Sequence, residues 1–204
     1  MSNNNANRLI TGSVAKSLVS FTIPIFFALL LQVMYGAIDM FIVGNFAQIN
    51  DVSGVSTGSQ LINFLTSVCA GLAMGTTILV GQKRGERKEG EIGAIIANSI
   101  ALFLGLSFVI MAVMLLFIDF ILQGMNTPVE AVDQTRGYIF YSAIGIPMVF
   151  AYNVLGSIFR GLGDSKTPLL AVAIACVANI IGDLVLVAYC GMGASGAAIA
   201  TVGA

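Results

Sequence analysis

Two acids lie inside long apolar stretches of this sequence, where a charge is costly. Asp39 lies within a run from Ser17 to Phe46, and Asp183 lies within another run near the C-terminus. A carboxylate at the centre of a bilayer costs about 2.5 kcal/mol or more. Neither run carries a Lys or Arg beside its acid. Each carboxyl must therefore be protonated, share a proton, or hold a cation from outside.

Other oxygen-bearing side chains accompany the two acids. Asn179 precedes Asp183 by four residues, so the two share one helix face. Gln32 and Tyr35 precede Asp39 at helical spacing and share a face with it. Carboxylate, amide and hydroxyl oxygens are the ligands that hard cations prefer. Because two acids in a low dielectric can also share a proton, the pattern predicts a site for either H⁺ or Na⁺.

The composition indicates an all-α polytopic membrane protein. Of the 204 residues, 57% are hydrophobic and only 9% are charged, whereas soluble domains have about 25% charged residues. The net charge of −1 gives no basic surface for nucleic acid. The sequence has no His, which excludes His metal sites and His proton relays, and its three Cys do not form a disulfide framework. Without a nucleophile–base pair, a metal cluster or a phosphate loop, we expect no enzyme activity.

Five stretches are long enough to cross a bilayer, which needs about 20 apolar residues. After a polar tail over residues 1–16, the spans are predicted at about residues 17–46, 55–82, 92–122, 135–159 and 167–189. A sixth apolar piece starts near residue 195 and has only about nine residues before the sequence ends, too few to cross. Pro24 is a hinge candidate in the first span, and Pro147 is predicted to break the fourth.

The basic residues predict an orientation. Eight of them lie at one end of the predicted spans: Arg8, Lys16, Lys83, Arg84, Arg87, Lys88, Arg160 and Lys166. Only Arg136 lies at the other end. Cytoplasmic loops carry an excess of Lys and Arg, so we expect a cytoplasmic N-terminus. The location we expect is the cell (inner) membrane of a prokaryotic-type cell.

With this orientation, polar groups from four segments fall at similar depth. At 1.5 Å per residue, Asp39 lies roughly 10 Å below the outer surface, and Asp183 and Thr201 lie roughly 9 Å below it. Gln60 and Asn63 of the second span have a comparable or slightly greater depth. The layer suggests a shared site. The alternative is that single Asn and Gln side chains only bond neighbouring helices together.

Several stretches resemble the multidrug and toxic compound extrusion (MATE) family of secondary antiporters. In family order they are IPIFFALLLQVMYGAIDMFIVGNF, GLAMGTTILVGQKRGERKEGE, FRGLGDSKTP, NIIGDLVLV and GMGASGAAIAT, and together they cover most of the chain. The resemblance implies a six-helix-bundle lobe of a V-shaped transporter, in which two lobes surround a central cavity. The chain over residues 17–204 resembles the N-terminal lobe, with five complete transmembrane helices and a truncated sixth. The C-terminal lobe is absent from the sequence.

The resemblance also implies roles for individual residues. In prokaryotic members the N-terminal lobe carries a cation site, which falls here on Asp39 and Asp183, helped by Asn179 and Thr201. Entry of H⁺ or Na⁺ is coupled there to export of lipophilic, often cationic drugs, and the first helix, with Pro24, bends in some members. The residues predicted to face the cavity and its substrate are Gln32, Tyr35, Gln60, Asn63, Tyr141 and Asn153.

We therefore expect a multidrug antiporter that needs no cofactor besides its coupling ion, H⁺ or Na⁺. Its expected partners are membrane lipid, a small-molecule drug and the missing C-terminal lobe. One alternative is a lipid-linked polysaccharide flippase of a related fold group, although such proteins usually carry more cavity cations. The other alternative is a non-transporting truncated fragment, because the sequence stops three residues after Thr201.

Overall fold

The computed structural model of the protein describes residues 14–204, so most of the predicted polar tail, with Arg8, lies outside the described residues. In chain order the helices are α1 (Val14–Phe46), α2 (Ile49–Gly85), α3 (Glu89–Leu116), α4 (Ile118–Gly124), α5 (Val132–Gly161), α6 (Lys166–Asp183) and α7 (Gly193–Gly203). A 3-10 turn, Val129–Ala131, precedes α5, and a π-helical segment, Leu184–Tyr189, continues α6. Within residues 14–204, five helices are long and apolar enough to cross a membrane, counting α6 with its π segment as one.

The second helix begins earlier than the sequence predicts. The predicted span starts at residue 55 after a loop, but α2 begins at Ile49, so only Ala47 and Gln48 separate it from α1. The backbone N–H of Gln48 donates a 3.2 Å hydrogen bond to Oδ2 of Asp51 in the first turn. An acid in this position stabilises the N-terminus of a helix. This capping extends α2 into the polar residues that the sequence predicts as a loop.

The third and fourth predicted spans also differ from the structure. The span over 92–122 is interrupted, because α3 ends at Leu116 and Phe117 has non-helical φ −112° and ψ 21°. The short α4 follows, and Asp119 in its first turn forms an ion pair with Arg136 of α5. The break predicted at Pro147 is wrong, since α5 continues through it. Helices in apolar surroundings tolerate Pro where neighbouring groups accommodate the lost hydrogen bond.

Helix α5 lies at the centre of the bundle. It packs against α2 and α3, and its contacts also reach α4, α6 and α7. The largest buried cluster joins side chains of α2, α3 and α5, among them Phe103, Met114, Ile139, Ile146 and Phe150. Ile139 and Ile146 are fully buried. A second cluster, formed by residues of α1, α2, α5, the π segment and α7, surrounds the region where the polar residues meet.

The two ends of the bundle are held by different interactions. At the basic end, where α2 and α5 finish, Nη1 of Arg84 donates a 2.9 Å hydrogen bond to the carbonyl oxygen of Leu162. Lys83 forms an ion pair with Glu91 at 2.8 Å. In the connection between α2 and α3, hydrogen bonding from Lys88 and the charge of Lys83 hold the pKa of Glu86 below its usual value. The opposite end holds the start of α2, α5 and α7, together with Cys190, an exposed free thiol.

Glycines let α7 lie close to two neighbours. A Cβ added at Gly145 of α5 would overlap the side chain of Val202, and one added at Gly137 would overlap that of Ser195. On the other side of α7, a Cβ at Gly182 of α6 would overlap Ala200. Small residues permit this close helix packing in membranes. Helix α7 is therefore held sideways between α5 and α6.

The glycines of α2 give a test of the packing. A Cβ at Gly58 would lie 2.5 Å from Cδ1 of Tyr138, whereas a Cβ at Gly75 would meet nothing within 4 Å. Forcing a methyl group into a packed site typically costs about 1–3 kcal/mol. Gly58→Ala should therefore lower the free energy of unfolding by about this amount, as measured by denaturation in detergent. Gly75→Ala should leave it unchanged or raise it slightly, because Ala restricts the unfolded chain. Equal stability of the two variants would contradict the packing.

Candidate functional site

The structure brings the two intramembrane acids together. Asp39 of α1 is 7% exposed, and Asp183 at the end of α6 is fully buried. Their side chains lie close enough to interact electrostatically. Helix α1 packs against α6, and this contact brings the two acids together. Two neighbouring carboxylates in an apolar site repel each other, so the pair favours a proton or a bound cation.

An amide and a hydroxyl join the pair. Asn179, one turn before Asp183, is 2% exposed, and its Nδ2 donates a 3.3 Å hydrogen bond to Oγ1 of Thr201 on α7. These contacts unite α1, α6 and α7 around one polar centre. The four residues predicted from depth and from family resemblance therefore lie together. Their role in cation binding stays a prediction.

Several oxygens of this centre have no hydrogen-bond donor. Among the described residues, both carboxylate oxygens of Asp183, Oδ1 of Asp39 and Oδ1 of Asn179 are buried without one. No Lys or Arg in residues 14–204 forms an ion pair with either acid. Buried polar atoms are nearly always paired, and unpaired oxygens mark a place where a proton or cation fits. A carboxylate pair with an amide oxygen is a donor set that suits a hard cation such as Na⁺.

Two tyrosines lie beside the acids, and only one of them, Tyr35, is a candidate predicted from the sequence. Tyr138 of α5 is 4% exposed and lies within electrostatic reach of both Asp39 and Asp183. Ser142, one turn further along α5, lies beside its hydroxyl. Tyr35 of α1, a predicted candidate, is partly buried near Asp39. The i, i+4 spacing of Tyr138 and Ser142 inside an apolar run is the sequence signal that could have indicated this polar face.

The helix geometry changes immediately after Asp183. Residues Leu184–Tyr189 form a π-helical segment, and the N–H of Cys190 donates to the carbonyl oxygen of Val185, five residues earlier, at 2.9 Å. Single π turns inside helices are rare and occur frequently at functional sites. The segment LVLVAY contains no Gly or Pro that would indicate such a turn, so the sequence carries no signal for it.

The other predicted site residues do not join the buried centre. Gln60 and Asn63 share the depth of the acids, but both lie on an exposed face of α2. Gln32 is exposed on α1 and lies near Tyr152, and Tyr141 is 37% exposed. Asn153 is partly buried, and its Nδ2 donates to the carbonyl oxygen of Val149 at 2.8 Å. Equal depth along the helices therefore does not bring Gln60 and Asn63 into the buried centre.

The unpaired oxygens predict that the site costs stability when no cation is bound. Asp183→Asn replaces the buried carboxylate with a group of the same shape whose amide can donate to Oδ1 of Asp39. We expect the free energy of unfolding of this variant to exceed that of the parent by about 1–3 kcal/mol, measured in detergent at neutral pH without Na⁺. Asp119→Asn, at an exposed ion pair, is the control and should change stability by less than about 1 kcal/mol. An Asp183→Asn variant less stable than this control would contradict the assignment.

Comparison with known proteins identifies the family. Residues 24–185 match the family model described as MatE. The chain is 30% identical over 191 residues to "Probable multidrug resistance protein YpnP" of Bacillus subtilis, and this match covers 94% of the chain and 43% of that protein. It is 27% identical over 199 residues to "Probable multidrug resistance protein NorM" of Bacillus anthracis, covering 94% of the chain and 44% of that protein.

A solved structure shows the same architecture. It is an outward-facing multidrug resistance MATE family transporter of the MOP superfamily, with a TM-score of 0.90 and 26% identity. The match covers 98% of this chain and 44% of that one. The chain thus spans less than half the length of the curated relatives it matches. Because the family model matches most of the sequence, the chain belongs to the MatE family.

Proposed function

We propose that this chain is the N-terminal half of a secondary antiporter that exports lipophilic or cationic drugs in exchange for H⁺ or Na⁺. The observation that carries the proposal is the contact between Asp39 and Asp183, whose buried oxygens lack donors within the described part of the chain. The names of the relatives, multidrug resistance proteins, support drug export as the transported class.

The acid pair supplies the ion chemistry. Without a bound cation, two neighbouring carboxylates in an apolar bundle repel each other, and one must take up a proton. A Na⁺ ion would instead be held by the carboxylate oxygens with Oδ1 of Asn179. Either ion lowers the free energy of the arrangement in which α1 lies against α6 and α7. An ion gradient can therefore shift the equilibrium between different arrangements of these helices.

Helix α1 is the element that we expect to move. Pro24 lies inside it and removes one backbone hydrogen bond, so a bend there is less costly than elsewhere in the helix. The large apolar side chains of α1, such as Phe26, Val33 and Phe41, are mostly exposed. Pro24 is thus the hinge candidate. Gln32, Tyr35, Tyr141 and Asn153, with the exposed Gln60 and Asn63, are the candidates for contact with the drug.

The orientation that fits this role has the basic end in the cytoplasm. Lys83, Arg84, Arg87 and Lys88 cluster there, and Arg160 lies at the same end. The excess of basic residues in cytoplasmic loops supports this orientation in a cell (inner) membrane. The acid pair then lies in the half of the bundle nearer the outside. The coupling ion would reach it from the outside.

The roles of the acids can be tested in the full-length gene product. Asp39→Asn and Asp183→Asn should each abolish ion-driven drug export by everted membrane vesicles, because neither amide can bind a proton or hold Na⁺ by charge. Asp119→Asn is the matched control, since it removes a carboxylate from an exposed ion pair of the same chain. Export by either acid variant at the rate of the control would reject the proposal.

The identity of the coupling ion can be determined from the gradient that drives export. In vesicles loaded with drug, proton coupling predicts export with an imposed pH gradient and no Na⁺. Sodium coupling predicts export only when a Na⁺ gradient is imposed, with the pH equal on both sides. Export of the drug under neither gradient would exclude antiport at this site.

A further inference from the structure

Asp51 connects two helices that are far apart in the sequence. Its Oδ1 accepts a 2.9 Å hydrogen bond from the backbone N–H of Ala194, 143 residues further along the chain. Its Oδ2 accepts the 3.2 Å hydrogen bond from the backbone N–H of Gln48. One carboxylate therefore accepts from the N-terminal region of both α2 and α7. Both helix dipoles favour a negative charge at this position.

The start of α7 is shaped around this carboxylate. Gly193 has a positive φ of +54°, and a Cβ added there would overlap the carboxylate of Asp51. Ala194, which donates the hydrogen bond, is 1% exposed. A left-handed backbone and close approach of another group are both conditions that favour glycine. The contact thus involves a specific backbone conformation as well as a hydrogen bond.

The anchored helix carries a member of the cation site. Thr201 lies seven residues, about two helical turns, after Ala194 and accepts the hydrogen bond from Asn179. The contacts of α7 with Gly145 and Gly182 hold it sideways against α5 and α6. These contacts join small apolar groups, so they do not fix the position of α7 along its own axis. The bond to Asp51 lies at the helix end and is directed, so it fixes α7 along its axis.

We propose that Asp51 is a positioning residue of the cation site. It holds the N-terminus of α7 and thereby sets the distance of Thr201 from Asn179 and Asp183. The inference rests on the proposed antiport function, because its effect is read in the binding of the coupling ion. Asp51 touches neither the ion nor the drug. Groups that orient the ligands of an ion typically change its affinity about 10–100-fold when they are removed.

The test uses three variants of the full-length gene product. Asp51→Ala removes both acceptors, and Asp51→Asn keeps one oxygen that can accept from Ala194. Asp133→Ala is the matched control, because Asp133 is also an acid in the first turn of a helix, α5, at the same end of the bundle. No hydrogen bond or ion pair to another element involves it in the described chain. Hydrogen exchange of residues 193–197 and the ion dependence of export are measured for each variant.

Asp51→Ala should raise the exchange rate of these amides and raise the ion concentration for half-maximal export about tenfold. Export at saturating ion should stay within about twofold of the parent, since the acids that bind the ion are intact. Asp51→Asn should give an intermediate shift, and Asp133→Ala should give none. A variant affected only in protein level or in maximal export would have a general structural defect, and this result would overturn the proposal.

The same experiment separates this inference from the proposed function. If the parent is driven by an ion and Asp39→Asn is inactive, but Asp51→Ala and Asp51→Asn have the ion dependence of Asp133→Ala, only the positioning role is rejected. If the parent shows no ion-driven export, the antiport proposal and this inference are both rejected. Where Asp51→Ala does not fold, Asp51→Asn alone decides the outcome. An ion dependence of Asp51→Asn that differs from that of Asp133→Ala would support the positioning role, and an equal ion dependence would reject it.

Discussion

Two carboxyl groups in contact inside an apolar bundle cannot both be charged unless a cation lies between them. This constraint explains the arrangement around Asp39 and Asp183. The first acid is on α1 and the second is at the end of α6, so the pair exists only while these two helices are packed together. Helix α7 completes the site through Thr201 and Asn179. In the proposed mechanism, a change in protonation or ion occupancy therefore acts directly on how these three helices pack.

The bundle divides into a rigid part and a part that can respond. The cluster of α2, α3 and α5 contains large, fully buried side chains such as Phe150 and Ile146. Helix α1 contributes few buried residues, mainly Asp39, Ile42 and Val43. Close-packed interiors resist continuous deformation. Helix α1 packs mainly against α6, so movement of α1 disturbs much less of this core than movement of α5 would.

Much of the site could be predicted because the cost of a buried acid is visible in the sequence itself. The apolar runs around Asp39 and Asp183, with the i, i+4 position of Asn179, are sufficient to indicate a polar centre. The residues at which the helices begin and end are harder to predict from the sequence. The early start of α2 depends on capping by Asp51, and the uninterrupted α5 depends on surroundings that accommodate Pro147.

The position of Gln60 and Asn63 outside the buried centre has a physical cause. Counting residues gives the depth of a side chain along a helix but leaves the rotation of the helix about its axis undetermined. Gln60 and Asn63 have a suitable depth, yet α2 turns Gly58 toward Tyr138 and leaves both amides exposed. Rotation is set by packing between helices, which a single sequence does not display. The π-helical segment after Asp183 has a similar effect, because it changes the helix face on which the following residues lie.

The position of Cys190 has a practical consequence. Of the three free thiols, Cys69 and Cys176 are buried and Cys190 is exposed. It lies between the π-helical segment and α7, four residues before the amide that Asp51 holds. A fluorophore or spin label attached through this native thiol is therefore a reporter placed next to the start of α7. A label at Cys190 would therefore report on movement of α7 relative to the end of α6 without the introduction of a new cysteine.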